Sequence, residues 1–440
     1  MNPQNPTKSL YIKTFGCQMN VRDSERIRDI YNEFGYSLTD SLNSADAIVF
    51  NSCSVRQKAE EKLYSELGRL KPLKKLNPRL RIVVAGCIAE QEGQNLLDRF
   101  PYIDFVFGPQ QIDKLLLWLQ GDYGNSTALG ENPQPVHLPS GAPQAGRMQA
   151  FVTIMYGCNN FCSYCVVPYT RGREKSRPSR EIIEEISQLA QNSVKEVTLL
   201  GQNVNSYGKG LDETIDFADL LKRLNAIDGI ERIRFVTSHP RDFNDKLIQT
   251  MSECSKVCKH IHLPLQSGSD RALSLMNRGY TFREYAEKIQ RLRALIPDIA
   301  ITSDFIVGFP GETEEDFQKT IEAIKTIRYD GVYAFKYSRR PYTKALEMED
   351  NVSDDDKGRR LQTLLEIQDK ITSEINESLN GQTLEVLVEG VNEKDASLFT
   401  GRTSTNKIVH FHPQGQALEG RLVQALITRA KRHCLIGELA

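Results

Sequence analysis

The sequence predicts an α/β protein in three units: an N-terminal parallel-sheet α/β unit, a central partial (β/α)6 barrel of the TIM type, and a small five-stranded, OB-like β-barrel at the C-terminus. Three observations carry this. Short apolar runs alternate with amphipathic helical stretches up to residue 120, the alternation restarts after a Gly/Pro-rich break, and from Gly381 it gives way to short strands separated by Gly, Asn and Pro. Length agrees, since 440 residues at about 150 per domain suggest two to four domains.

In the first unit the strand-like runs are Ser9–Thr14, Ala47–Asn51, Arg81–Ala85 and Phe105–Phe107, with helical period over Asp23–Phe34 and Val55–Arg69. A strand–helix–strand rhythm implies parallel pairing. The stretch 121–146 holds nine Gly or Pro in 26 residues with neither period and reads as a linker. Six further strands follow, at Phe151–Tyr156, Glu196–Leu200, Arg232–Thr237, His260–Leu263, Ile299–Val307 and Val332–Tyr337. Between them lie the helical patterns Arg180–Gln191, Phe217–Asn225, Thr281–Leu295 and Glu314–Ile327, and a charged helical stretch, Asn351–Asn376, closes the unit. In such folds the chemistry sits at the carboxyl ends of the strands. Strands over 384–390, 398–411 and 421–430 make the last unit. The expected boundaries are 1–120, 121–146, 147–376 and 377–440.

Composition narrows the class. Hydrophobic residues at 40% and charged residues at 26% are ordinary for a globular chain. With 56 Lys+Arg against 57 Asp+Glu, a nucleic-acid partner must be held by local basic clusters. The longest apolar run, Ile82–Ala89, is eight residues, against the ~20 a membrane span needs. Met1–Lys8 carries no apolar core or cleavage site, so the expected location is cytoplasmic. Nine cysteines in a reducing compartment point to metal ligation and not to disulfides.

Their spacing is specific. Cys158-Asn-Asn-Phe-Cys162-Ser-Tyr-Cys165 directly follows the first strand of the second unit. Three thiolates on a [4Fe-4S] cube leave one iron open to chelate a substrate or cofactor, whereas zinc wants a fourth ligand nearby. A second set is dispersed: Gly16-Cys17, Ser52-Cys53 and Gly86-Cys87 each end a strand-like run and precede a helical pattern. In a parallel sheet those ends share one edge, so the thiols can meet. Cys254, Cys258 and Cys434 read as packing thiols.

The Cys158–Cys165 triplet resembles the radical S-adenosylmethionine superfamily signature. The resemblance implies that the open iron holds the amino and carboxylate groups of S-adenosylmethionine, which one electron cleaves to a 5′-deoxyadenosyl radical. It further implies cofactor contacts from Tyr164, from Gly201, Gln202 and Asn203 after the second strand, and from Gln266 and Ser267 after the fourth. Asp304 and Gly308 of Asp304-Phe-Ile-Val-Gly-Phe-Pro-Gly-Glu312 would border the adenine. His262 beside a strand end would face the cofactor or be structural.

With both cysteine sets the chain is similar to the methylthiotransferase family over nearly its whole length, with a cluster domain, a radical domain and a C-terminal TRAM domain. Asn51-Ser-Cys-Ser-Val-Arg, Phe161-Cys-Ser-Tyr-Cys-Val-Val-Pro-Tyr-Thr-Arg-Gly172 and Leu199-Leu-Gly-Gln-Asn-Val-Asn205 look most like its tRNA-modifying members. That implies two [4Fe-4S] clusters, at Cys158, Cys162, Cys165 and at Cys17, Cys53, Cys87. It implies two uses of S-adenosylmethionine, as radical source and methyl donor, and methylthiolation at carbon 2 of an N6-dimethylallyladenosine next to the anticodon. An electron donor of the flavodoxin or ferredoxin type and a monomeric state are expected with it. The rival targets are threonylcarbamoyl-adenosine in tRNA and an aspartate of a ribosomal protein; a non-catalytic iron-sulfur or RNA-binding scaffold is the rival class. Two departures stand out: Ser52 where the family usually has Thr, and Tyr342 in Ser338-Arg-Arg-Pro-Tyr-Thr343 where it usually has Gly.

RNA contacts are expected from Arg171, Arg173 and Arg177 in the basic run 171–180, and from Arg339 and Arg340 near Lys336 and Lys344. The last unit, with seven Lys+Arg against six Asp+Glu from Gly381 on, is scarcely basic. Its TRAM resemblance implies backbone contacts from Arg402, Lys407, Arg429, Lys431 and Arg432.

Overall fold

A computed structural model of the chain describes residues 8–55, 57–132 and 147–440. The first unit is a six-stranded parallel sheet in the order Tyr36–Leu38, Lys8–Phe15, Ala47–Ser52, Arg81–Ala85, Phe105–Phe107, Thr127–Ala128. Ala47–Ser52 is buried at every position, as a parallel strand covered on both faces must be. Alternation sends Ile48 and Phe50 to a core with Leu63, Leu67 and Leu70 of the helix Gln57–Leu76. Ala47 and Val49 meet Ile27, Ile30 and Tyr31 of the helix Gln18–Glu33 on the other side. Two strands of this sheet go beyond the sequence reading: Tyr36–Leu38, and Thr127–Ala128, which lies inside the 121–146 stretch that composition reads as linker. Residues 133–146 of that stretch lie outside the described residues.

The second unit has all six expected strands, as Gln149–Thr153, Glu196–Leu200, Arg232–Phe235, His260–His262, Ala300–Val307 and Gly331–Lys336. They pair in parallel as two groups of three, joined by the Ile233–Val257 bridge. Among the described residues the first and last strands do not pair, so the barrel is an open arc. Ile301, Phe305 and Val307 enter a core with Phe317, Ile321 and Ile324 of the helix Glu314–Ile327. The alternate residues Thr302, Asp304 and Ile306 stay partly exposed and share their face, by register, with His262, Tyr333 and Phe335. That face is the hollow of the arc. The helix Asp354–Glu377 packs on its last strand.

The third unit is a closed five-stranded barrel. The run 398–411 divides into Phe399–Thr403 and Ile408–Phe411 at a turn with Asn406 at φ +66°. Two buried arginines of the third barrel strand hold this unit by its main chain. Arg232 donates to the carbonyls of Arg402 and Glu385, the latter at 3.3 Å, and Arg234 to those of Thr403 at 2.7 Å and Ser404 at 3.2 Å. Arg234 is also ion-paired with buried Glu196 at 2.9 Å. Arg234→Ala leaves that carboxylate without its cation, and stability should fall by about 3–5 kcal/mol, read as a lower urea midpoint for the first unfolding transition.

Candidate active site

Cys17 caps the helix Gln18–Glu33, Cys53 follows the strand Ala47–Ser52 and Cys87 opens the helix Cys87–Glu92, all at the carboxyl edge of the sheet. Two amides buried at that edge lock it. Asn20 Nδ2 donates to Asn51 Oδ1 at 3.0 Å and Asn51 Nδ2 to Asn20 O at 2.8 Å, while Asn20 Oδ1 lies 3.4 Å from Cys17 Sγ. Gly86 sits at φ +93°, and a Cβ there would come within 2.3 Å of Asn51 Oδ1, so the approach of the third loop to the second requires glycine. Interaction with the Cys53 thiol brings Cys17 down to about 5 and Cys87 to about 7, with Arg171 adding to both, and the same interactions push Cys53 well up.

The second trio lies on the loop after the first barrel strand. Cys158 N donates to Gly172 O at 3.2 Å and Cys165 N to Cys162 O at 2.9 Å. Gly157, at φ +71°, lies so close to the Arg173 carbonyl that a Cβ would stand 2.0 Å from it. Burial raises Cys158 to about 11 and Cys165 to about 12. A buried cation that the sequence did not single out stands beside them. Arg278 Nη1 is 3.2 Å from both Cys162 Sγ and Tyr164 Oη, and Nη2 donates to Pro264 O at 2.9 Å. Nothing in Asn277-Arg278-Gly279 marks it, because only the return of the chain to the cysteine loop gives this arginine a thiol.

Arg171 joins the two trios. It follows the short helix Val167–Thr170 just after Cys165, is buried, and points Nε at Cys87 Sγ (3.2 Å) and Nη2 at Asp23 (2.9 Å). Gln110 Nε2 donates to its carbonyl at 2.6 Å. The same seam carries Arg22–Glu185 at 3.0 Å, an Arg147–Glu25 ion pair, and Arg340 donating to Val55 O at 3.1 Å. Arg171 thus ties the loop that carries the second thiol set to the Cys87 end of the first.

Soft thiols in threes, with no fourth ligand gathered, suit cubes in which each thiolate binds its own iron. Among the described residues no three His, Cys, Asp or Glu side chains are arranged to hold a single metal ion. Around the second trio the strand ends carry buried polar atoms without partners: Asn203 Oδ1, Asn205 Oδ1, Ser238 Oγ, His239 Nε2 and Gln266 Oε1. Each such orphan costs about 1–3 kcal/mol, and their concentration fits a polar ligand such as S-adenosylmethionine. Ser238 and His239, in Thr-Ser-His-Pro after the third strand, were readable as another strand end and were not singled out. Burial, with Arg278 and Arg241 nearby, holds His239 far below the ordinary imidazole range.

The individual expectations fare unevenly. Gln202 Oε1 accepts from Gly157 N, tying the second strand end to the cysteine loop, and Asn203 Nδ2 donates to Asp242 at 2.7 Å. Gly201 is packed against Met155. Asp304 and His262 face the hollow, 3.5 Å apart. Ser267 is turned away, its hydroxyl 3.2 Å from both Thr320 Oγ1 and Ser269 N. Gly308 abuts Lys357 of the closing helix, where a Cβ would stand 2.2 Å from Cγ. At both positions the contacts shown are to the chain's own residues. Cys254 and Cys258 are buried.

The basic residues need a larger correction. Arg171 and Arg177 are buried, Arg177 on Glu185 (2.7 Å) and Thr153 O (2.6 Å), and Arg340 is held at the seam. Lys407 is paired with Asp330 and Arg402 with Glu389, both at 2.8 Å. A charge run in sequence does not reveal which members meet internal carboxylates. Arg173 and Arg339 remain exposed. Arg171→Met strands Asp23 in the interior and should lower stability by about 3–5 kcal/mol, seen as a lower thermal midpoint that Asp23→Asn partly restores.

Three family models match in succession: the Uncharacterized protein family UPF0004 over 9–108, the Radical SAM superfamily over 152–324 and the TRAM domain over 377–440. Among solved structures, the radical S-adenosylmethionine methyltransferase TsrM from Kitasatospora setae shares the fold at TM-score 0.56 and 12% identity, covering 88% of this chain and 79% of that one. The cobalamin-dependent S-adenosylmethionine radical enzyme OxsB does so at 0.55 and 12%, over 82% and 56%. Relatives are nearer in sequence. The tRNA-2-methylthio-N(6)-dimethylallyladenosine synthase of Thermodesulfovibrio yellowstonii is 48% identical over 98% of this chain and 99% of its own, and that of Syntrophus aciditrophicus 49% over 98% and 94%. At that identity over the full length, the chain belongs to the tRNA-2-methylthio-N6-dimethylallyladenosine synthase family of radical S-adenosylmethionine enzymes.

Proposed function

We propose that this chain is a methylthiotransferase that converts N6-dimethylallyladenosine beside the anticodon of tRNA to its 2-methylthio derivative. The observation that carries the reading is the pair of cysteine trios, tied to one another through Arg171, in a chain nearly half identical to synthases of that name over its whole length. Replacing an unactivated aromatic C–H by C–S needs radical chemistry. When bound, a [4Fe-4S] cluster with S-adenosylmethionine at Cys158, Cys162 and Cys165 supplies it, and a second cluster at Cys17, Cys53 and Cys87 supplies the sulfur.

The chain's own residues bind and orient. Gln202 fixes the cysteine loop through Gly157 N, and Arg278 stands against Cys162 as a buried positive charge. Asn203 and Gln266 keep one amide oxygen each for the ligand, and the methionine amino group is a donor that suits them. Arg171 holds the sheet edge of the first unit to the second, which fixes the spacing of the two thiol sets. Tyr333 and Phe335 line the open arc with aromatic surface suited to a nucleoside that carries an apolar substituent.

The third unit supports RNA binding by family, with exposed Arg429 and Lys431 as candidate contacts, while Arg432 is ion-paired with Asp369 at 2.6 Å. No helix among the described residues is long and apolar enough to cross a membrane, in keeping with an enzyme of the cytoplasm that acts on tRNA as a monomer and takes electrons from a flavodoxin or ferredoxin.

Replacing Cys17, Cys53 and Cys87 together by Ala should lower iron from about eight to about four per chain. The variant should abolish the methylthio product and still release 5′-deoxyadenosine under dithionite. Unchanged iron would remove the second cluster from the scheme. Gln266→Ala and Asn203→Ala should each weaken S-adenosylmethionine binding by about 1–2 kcal/mol in equilibrium dialysis, while Ser267→Ala leaves it within about two-fold.

A further inference from the structure

Three rings meet at the rim between the first two units: Phe161 in the cysteine loop, Tyr169 on the helix Val167–Thr170, and Tyr342 in the loop after the last barrel strand. Phe161 and Tyr169 have centroids 6.0 Å apart at 84°, and Tyr169 and Tyr342 6.0 Å apart at 35°. Arg173 lies over Phe161 at 4.5 Å. The outer rings face solvent, Tyr169 at 43% and Tyr342 at 60% exposure. Tyr342 Oη donates to Gln91 O at 3.4 Å, on the helix that Cys87 opens. Tyr342 therefore stands over the seam between the first two units, at the end of the helix that begins with Cys87.

Its backbone adds a second, independent observation. Tyr342 has φ +66°, a left-handed conformation that glycine adopts freely and a ring-bearing residue adopts at a cost. A large ring that is both exposed and conformationally disfavoured gains the fold little, and such outliers gather at ligand sites. The flanking exposed cations, Arg173 and Arg339, suit phosphates. Single-stranded RNA loops are recognised by stacking their splayed bases on such rings, without demand on base identity.

Resting on the tRNA reading above, we propose that the exposed face of Tyr342, backed by Tyr169, is a stacking shelf for the unpaired base next to the target adenosine. It holds the loop open so that the adenosine enters the arc.

The test uses the reconstituted holoprotein and a synthetic prenylated stem-loop RNA with 2-aminopurine beside the target adenosine. Wild type should quench the probe. Tyr342→Phe should quench equally with KM for RNA within about two-fold, because the ring remains. Tyr342→Leu should abolish quenching and raise KM about ten-fold, the lower end of what one stacked base contributes, with kcat within about two-fold. Tyr342→Gly, which removes the backbone cost, should lose quenching in the same way while its iron content and unfolding midpoint are no lower than wild type. Quenching and KM at wild-type values in both the Leu and Gly variants would overturn the shelf. A wild type that quenches the probe and yields no methylthio nucleoside would overturn the proposed reaction and keep the shelf.

Discussion

The site depends on one buried cation. Arg171 belongs by sequence to the barrel and by contact to the first unit, where it meets Asp23 and the Cys87 thiol. A guanidinium is costly to bury alone, and its partners must be present before it can leave water. The ion pair therefore couples the docking of two units to the electrostatics of a thiol. Arg278 repeats the device on the other trio, beside Cys162. Two soft-ligand sets are each backed by an interior positive charge, and ion pairs from Arg171, Arg22 and Arg147 cross the seam between their units.

Most of the architecture was legible in the sequence because it is periodic. All six barrel strands and the four central strands of the first sheet follow from apolar runs that alternate with helical period, and the six clustered cysteines from their spacing after such runs. The two marginal strands of that sheet lack the continuous apolar run that marks Phe105–Phe107: Tyr36–Leu38 buries only its first residue, and Thr127–Ala128 is hidden by glycine- and proline-rich surroundings. Charge was the least legible property. Arg171, Arg177 and Arg340 are indistinguishable in sequence from Arg173 and Arg339, yet the first three find carboxylates, carbonyls or a thiol and the last two find solvent. Long-range pairing decides that, and no local pattern records it.

The strand-end turns show a subtler limit. Ser267 sits next to Gln266, but Gln266 has φ +76° and one orphaned amide oxygen, while Ser267 is satisfied by Thr320. One peptide unit reverses which of two polar neighbours is available to a ligand. The motif marks the turn correctly and leaves the pointing of each side chain to the backbone.

The grip of Arg232 and Arg234 on the third unit falls mainly on the carbonyls of Glu385, Arg402, Thr403 and Ser404, to which Arg232 adds one side chain, the Glu385 carboxylate at 3.0 Å. Peptide oxygens are common to every residue type. The small barrel can thus vary most of its surface residues over generations while its attachment persists, which leaves affinity for different transcripts open to adjustment without disturbing the catalytic half.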